Sequence, residues 1–155
     1  MLVASYLALI DQAYNRQSWH GTNLRGSLRG VTAEESAWRP APGRHNIWEE
    51  VVHAAYWKYV VRRRLTGDRR GSFALDGSNW FARQDSPDAR GWKQDIALLD
   101  AEHRALREVV ANLSEASLKP ARGRKRNKTA WLVSGIAAHD LYHAGQIQLL
   151  KRLQG

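Results

Sequence analysis

The hydrophobic positions of this 155-residue chain recur with the spacing of amphipathic helices, and the alternation typical of strands is nowhere sustained. The third of four long segments, for example, repeats apolar residues at Trp92, Ile96 and Leu99. The predicted helices run from about Leu2 to Arg16, Asn46 to Leu65, Arg90 to Leu113 and Thr129 to Leu153. This pattern predicts an all-α fold, a four-helix bundle in a single domain that spans residues 1–155.

The second predicted helix has a clear start, and a long irregular connection follows it. Asn46 can cap the first turn, and Glu49 stands three residues later, which is the spacing of a capping box. From about Thr66 to Ala89 no helical period is visible. A connection of this length is uncommon in a compact domain and is often functional or acts as a lid. We therefore expect an irregular segment of functional interest between the second and third helices.

The fourth predicted helix carries two histidines, His139 and His143, in the run GIAAHDLYHAGQIQLLKR. At 100° per residue they share a stripe with Gly135, Tyr142 and Leu153, so we expect both imidazoles to face the interior. Residues four apart on a helix are close enough for two ring nitrogens to bind one cation. HDLYH also approaches the zincin pattern HExxH, but aspartate is shorter than glutamate and too little chain follows for a third ligand. The pair therefore predicts a metal site whose third ligand lies upstream.

Two upstream histidines are candidates for the third ligand, and helix geometry does not choose between them. His53 lies on the second predicted helix, and His103 lies on the apolar stripe of the third. In an up-down arrangement both lie near the level of His139. His20 and His45 belong to loops or to a helix start, where we expect solvent-facing or capping roles.

Composition and charge add a second hypothesis. The chain has no cysteine, which excludes disulfides and thiolate ligands and suits a cytoplasmic protein. Its formal net charge is +9, and basic residues concentrate in segments 62–70 and 119–128. Such segments point to a non-enzymatic protein that binds nucleic acid, although solvated arginine-rich loops are the simpler interpretation because no recognition motif accompanies them. The N-terminal segment lacks the basic start of a signal peptide, and no apolar run reaches the roughly 18 residues of a membrane span.

Two stretches, RPAPGRHNIWEEVVHAAYW in the middle of the chain and AAHDLYHAGQIQLLKR near its end, resemble the DinB-like (YfiT-related) superfamily. The resemblance implies a four-helix bundle that binds one divalent metal ion, nickel or zinc, through one histidine of the second helix and two of the fourth. These correspond to His53, His139 and His143, and His103 then becomes a core or surface residue. The resemblance also implies a homodimer. For activity it implies a metal-dependent hydrolase or a transferase that uses a low-molecular-weight thiol, while many members have no established reaction.

A three-histidine site also predicts a set of catalytic candidates. Three neutral imidazoles leave a bound ion its full charge and an open position, where a water or a thiolate is activated. Glu49 and Glu50 precede His53 on the same predicted helix and are candidate proton acceptors, although Glu49 also suits the helix cap. Gln146 lies one turn beyond His143 and is placed to hydrogen-bond a bound water or a ligand imidazole. Glu49 and Gln146 are therefore the predicted catalytic residues of an enzyme that acts on a small molecule.

Further residues are expected to shape the pocket around this site. Tyr142 and Trp57 are expected in its wall, and His20 and Trp80, in loops, are expected to close over the open coordination position. If the site is instead vestigial, the bundle is a scaffold and metal leaves its thermal stability unchanged.

Overall fold

The computed structural model describes residues 1–83, 86–123 and 127–155, and every regular element in these ranges is helical. The helices, in chain order, are α1 (Leu2–Tyr14), α2 (Leu24–Ser27), α3 (Ala33–Ala37), α4 (Ile47–Thr66), α5 (Ala89–Ala111) and α6 (Lys128–Leu153). A short 3₁₀ turn, Glu115–Leu118, precedes α6. The long helices α1, α4, α5 and α6 pack against one another, which confirms the predicted all-α bundle. No helix in the described ranges combines the length and hydropathy needed to cross a membrane.

The pairing of α4 with α5 explains the long connection between them. Near the start of α4, Trp48 donates a hydrogen bond from Nε1 to Asp95 at 2.6 Å. Near its end, Arg62 pairs with Glu102 at 3.2 Å. The first half of α4 thus contacts the first half of α5, and the end of α4 contacts a later turn of α5, so the two helices run parallel. The chain must therefore return along the length of α4 before α5 begins. An up-down arrangement therefore does not describe α4 and α5, and the predicted irregular segment is this return.

The first turn of α4 anchors the returning segment through Glu49. Asn46 caps the helix as predicted, accepting a hydrogen bond from the backbone N–H of Glu49 at 2.8 Å. The Glu49 carboxylate accepts two hydrogen bonds from Arg39, at 2.6 and 2.9 Å, and one from the backbone N–H of Arg83 at 3.1 Å; His45 Nδ1 lies 3.0 Å away. Burial by itself raises the pKa of Glu49, but these contacts lower it to about 2. Glu49 thus holds the return in place instead of completing a capping box.

The buried face of α6 is not centred on the two histidines. Tyr142 and Leu153, which were expected on the buried stripe, are 64% and 55% exposed. The buried positions cluster instead around Asp140, while His143 is buried and His139 is half-buried. The expected stripe is therefore wrong by roughly a quarter turn, because α1, α2 and α4 together cover a neighbouring face of α6. The histidines stand at the edge of the core, where a ligand can reach them.

A buried ion pair joins α4 to α6. Lys58 Nζ donates a hydrogen bond to Asp140 Oδ2, and both side chains are 1% exposed. The ring of Tyr14, from α1, lies 4.8 Å from the ammonium group. Burial lowers the pKa of Lys58 and raises that of Asp140, and each charge partly offsets the effect of burial on the other. The contact places two opposite charges in the centre of the bundle.

His103, the alternative third ligand, belongs to a different part of the core. Its ring stacks on Tyr14 with the centroids 3.6 Å apart, and its Nε2 lies 4.0 Å from Asp11. Burial, and then the positive charges of Lys58 and Arg107, lower its pKa to about 3. His103 is therefore a neutral core residue, as the family resemblance implied.

The neutral state of His103 predicts how stability changes with pH. Its pKa is about 3 in the folded protein against an ordinary value of 6.5, so the unfolded chain binds one more proton between these values. The contribution of His103 to the free energy of unfolding is therefore fully present above its ordinary pKa of 6.5, and it is lost as the pH falls toward its folded-state pKa of about 3. In metal-free protein, His103→Gln should reduce the pH slope of the unfolding free energy by about 1.4 kcal/mol per pH unit near pH 5.

Urea unfolding of the wild type and His103→Gln between about pH 4.5 and 7 measures this slope. His20→Gln, which also replaces one histidine but at an exposed position, is the matched control. A slope in His103→Gln equal to that of the wild type would contradict the buried neutral assignment.

Candidate metal centre

Three histidines meet where α4 contacts α6. His53 comes from α4, and His139 and His143 come from consecutive turns of α6. His139 Nε2 lies 3.2 Å from His53 Nε2 and 3.0 Å from His143 Nε2. In the part of the chain that the structure describes, these residues form the only group of three or more side chains suited to hold a metal ion, with ligand atoms within 4.8 Å of one another. The structure thus brings together the three predicted ligands.

Hydrogen bonds to the outer ring nitrogens orient two of these imidazoles. His53 Nδ1 lies 2.8 Å from the backbone carbonyl oxygen of Asn79, and His143 Nδ1 is hydrogen-bonded to the carboxylate of Glu50. A carbonyl and an ionised carboxylate only accept, so both Nδ1 atoms carry the proton and donate it. The Nε2 lone pairs of His53 and His143 therefore point into the cluster. His139 Nδ1 is buried and has no hydrogen-bond partner among the described residues.

The spacing of the Nε2 atoms fits a divalent cation. Two nitrogens bound to one ion at about 2.1 Å lie about 3.0–3.4 Å apart for angles of about 90–109°. The observed separations of 3.0 and 3.2 Å fall within this range. Without a cation, lone pairs at this distance repel, and a single proton on His139 Nε2 can bridge only one of the two contacts. Three imidazole nitrogens are also a donor set that zinc and nickel accept.

The protonation states of the cluster suit metal binding. Burial, and then the neighbouring imidazoles, lower the pKa of His139 to about 3. Burial is also the main reason that the pKa of His53 is lowered to about 4, although its hydrogen bond to Asn79 acts in the opposite direction. Both rings are therefore neutral near pH 7, which is the form in which imidazole binds a metal.

The returning segment covers one side of the cluster. Asn79 has a φ of 65°, the one positive value at a non-glycine residue in the described ranges, and asparagine tolerates this conformation. While its carbonyl faces His53, its side-chain oxygen accepts a hydrogen bond from Trp57 Nε1 at 2.9 Å. The ring of Trp80 stacks between His53 and His45, with centroid separations of 3.8 and 3.6 Å. The segment therefore fixes both the tautomer and one face of a ligand ring.

A cavity of about 510 Å³ opens beside His143 and Glu50. Its wall is mainly apolar and aromatic, and it also contains the side chains of Arg44 and Gln146. A smaller cavity, of about 140 Å³, reaches His139 from the side of Trp57 and Trp131. The larger volume lies within the range of small-molecule sites, so the cluster has access to a ligand of that size.

The predicted catalytic candidates occupy different positions. Gln146 lines the larger cavity together with Glu50 and Tyr142. The carboxylate of Glu49, in the first turn of α4, is occupied by its ion pair with Arg39. His20 lines a separate surface cavity and is not part of the histidine cluster. Of the two glutamates considered from the sequence, Glu50 is thus the one whose carboxylate contacts a ligand histidine.

Residues 16–147 match the family model described as the DinB superfamily. The match covers most of the chain, which therefore belongs to the DinB superfamily. No curated protein and no solved structure matches the chain. The family assignment agrees with the helical fold and with a buried group of three histidines that is able to hold a metal ion.

Glu50 and Glu49 are predicted to affect different properties. Glu50→Gln removes the charged acceptor of the His143 Nδ1 proton, and loss of such a partner typically lowers metal affinity about 10–100-fold. Glu49→Gln breaks the ion pair with Arg39 and should lower the free energy of unfolding by about 1–3 kcal/mol, with a smaller effect on affinity. Competition with a chromophoric chelator measures affinity, and urea unfolding measures stability.

Exposed Glu108 offers a matched control, and Glu108→Gln should change neither property. If Glu50→Gln binds metal as tightly as the wild type, or if Glu49→Gln suffers the larger loss of affinity, the assignment of Glu50 as the orienting carboxylate is wrong.

Proposed function

We propose that the protein binds one divalent metal ion, zinc or nickel, through His53, His139 and His143, and that it is a metal-dependent enzyme acting on a small molecule. The convergence of three Nε2 atoms beside a cavity of about 510 Å³ carries this proposal. Family membership supports the metal site and the fold, but a fold by itself does not define a reaction.

The chemistry follows from the donor set and from the residues around it. His53, His139 and His143 would hold the ion, and an ion bound by three neutral imidazoles would lower the pKa of a water or thiol ligand and so supply a nucleophile near neutral pH. We assign proton acceptance to Glu50, because the bonds that hold Glu49 lower its pKa to about 2 and make it a weak base. Glu50 also lines the cavity and orients His143. Gln146, in the same wall, is placed to hydrogen-bond the substrate.

Two reaction classes fit this arrangement, hydrolysis and transfer involving a low-molecular-weight thiol. Both need one activated nucleophile and one proton acceptor, so the residues of the site suit either class. The apolar part of the cavity wall, which includes Leu149, Leu150 and Leu153, favours a substrate with an apolar portion.

The homodimer expected from the resemblance stays a prediction. It is supported by large apolar side chains on the outer face of α6, where Trp131, Tyr142 and Leu149 are between 53% and 64% exposed. Their separations of 11 and 7 residues are close to whole numbers of helix turns, so they lie on one face of α6, and exposed apolar surface often marks a protein interface. A cytoplasmic location likewise stays a prediction.

The nucleic-acid alternative stays a prediction, and three of the five arginines in the basic segment 62–70 are exposed. In the basic segment 62–70, Arg62 pairs with Glu102, and Arg63 donates hydrogen bonds to Tyr59 and to the backbone of Asp68. Residues 124–126 of the second basic segment, 119–128, lie outside the described residues. The histidine cluster and the cavity beside it favour the enzymatic proposal over this alternative.

Metal removal and reloading test the enzymatic proposal. Protein stripped with a chelator and reloaded with zinc or nickel should hydrolyse activated esters such as 4-nitrophenyl acetate, or couple L-cysteine to 1-chloro-2,4-dinitrobenzene. The activity should fall to the background rate in His139→Ala and persist in His20→Ala, the matched surface control. Which of the two reactions appears identifies the class. No metal-dependent turnover in a wider panel of esters, amides and thiol-reactive electrophiles would contradict the enzymatic part of the proposal.

A further inference from the structure

The buried ion pair between Lys58 and Asp140 lies on the two helices that supply every ligand histidine. Both side chains are 1% exposed, and their contact crosses the core from α4 to α6. The other oxygen of the carboxylate, Asp140 Oδ1, is buried and has no hydrogen-bond partner among the described residues. Lys58 is therefore the contact that fixes this carboxylate.

The pair lies close to the ligands in the sequence of each helix. Lys58 follows His53 by five residues, which is about 7.5 Å along the axis of α4. Asp140 directly follows His139 and precedes His143 by three residues. Any sliding of one helix along the other therefore changes the ion pair and the histidine cluster together.

The energetics of buried ion pairs favour an orienting role. Removing two charges from water offsets most of their attraction, so apolar replacements of buried pairs are often neutral or stabilising. Apolar contacts between helices tolerate small displacements, whereas a hydrogen-bonded ammonium and carboxylate hold one relative position. A functional set of side chains must be held within about 0.5 Å of its working geometry. A displacement of about 1 Å of α4 along α6 would exceed this tolerance for the three ligand histidines.

We propose that Lys58 and Asp140 set the register of α4 against α6 and so position the Nε2 atoms of the three ligand histidines for one ion. Both are positioning residues, which act through the helices and do not touch the ion. This inference rests on the proposed metal binding at His53, His139 and His143.

A double variant tests the inference without leaving a buried charge unpaired. Lys58→Met with Asp140→Leu replaces the ion pair by apolar side chains of similar volume and should fold with helical content close to that of the wild type. Its affinity for zinc and cobalt should fall about 10–100-fold, as for other residues that orient ligands. The visible absorption of the cobalt-loaded protein, which reports coordination geometry, should also change.

Two further double variants distinguish an effect on the register of α4 against α6 from a general loss of stability. Arg62→Gln with Glu102→Gln removes an ion pair of α4 that reaches α5 and not α6, so affinity and cobalt spectrum should stay as in the wild type. Lys58→Gln with Asp140→Gln shortens one side chain by one bond and lengthens the other by one bond, so a directional but neutral hydrogen bond still joins α4 to α6. It should fold and retain a cobalt spectrum close to that of the wild type.

The outcomes distinguish this inference from the proposed function. If the wild type takes up no ion, the proposed function fails, and the inference fails with it. If the wild type binds and the Met/Leu variant has the same affinity and spectrum, the inference alone is overturned. If the Met/Leu variant does not fold, the Gln/Gln variant decides, because a folded Gln/Gln protein without the wild-type spectrum overturns the inference as well.

Discussion

The metal centre depends on the close approach of three imidazole nitrogens from α4 and α6. His139 Nε2 lies 3.0 and 3.2 Å from its two neighbours, and the proton of a neutral imidazole can bridge only one of these contacts, so the lone pairs of the other repel unless a positive charge lies between them. Low pKa values, which follow mainly from burial, keep His53 and His139 from supplying that charge as protons near pH 7. The arrangement is therefore one that a divalent cation would stabilise, and that the surrounding protein has to hold in place.

Several long-range contacts hold the histidine cluster in place. Because α4 and α5 run parallel, the chain must return along α4, and this return carries Asn79 and Trp80 to the ring of His53. Glu49 secures the return at the start of α4. Glu50 orients the ring of His143 from the same helix turn. The connectivity of the bundle thus brings to the ligands groups that their own helices do not provide.

Sequence reasoning reached the parts of this site that depend on local spacing. The four-residue separation of His139 and His143 is visible along one helix. Helix geometry did not show whether His53 or His103 is the third ligand, and only the family resemblance favoured His53. Helical periodicity also misplaced the buried face of α6, because the neighbouring elements decide which face is covered. The backbone carbonyl of Asn79 has no side-chain signature, and the buried ion pair between α4 and α6 joins positions 82 residues apart. These features arise from tertiary packing and could be found only in the structure.

We propose that one ion is bound by imidazole from both α4 and α6. X-ray absorption at the metal edge of zinc-loaded protein tests it most directly, because imidazole ligands give distinct outer-shell scattering. We expect three imidazole nitrogens at about 2.1 Å in the wild type and two after His53→Ala. A first shell with fewer than three imidazoles in the wild type, or one unchanged by His53→Ala, would contradict it.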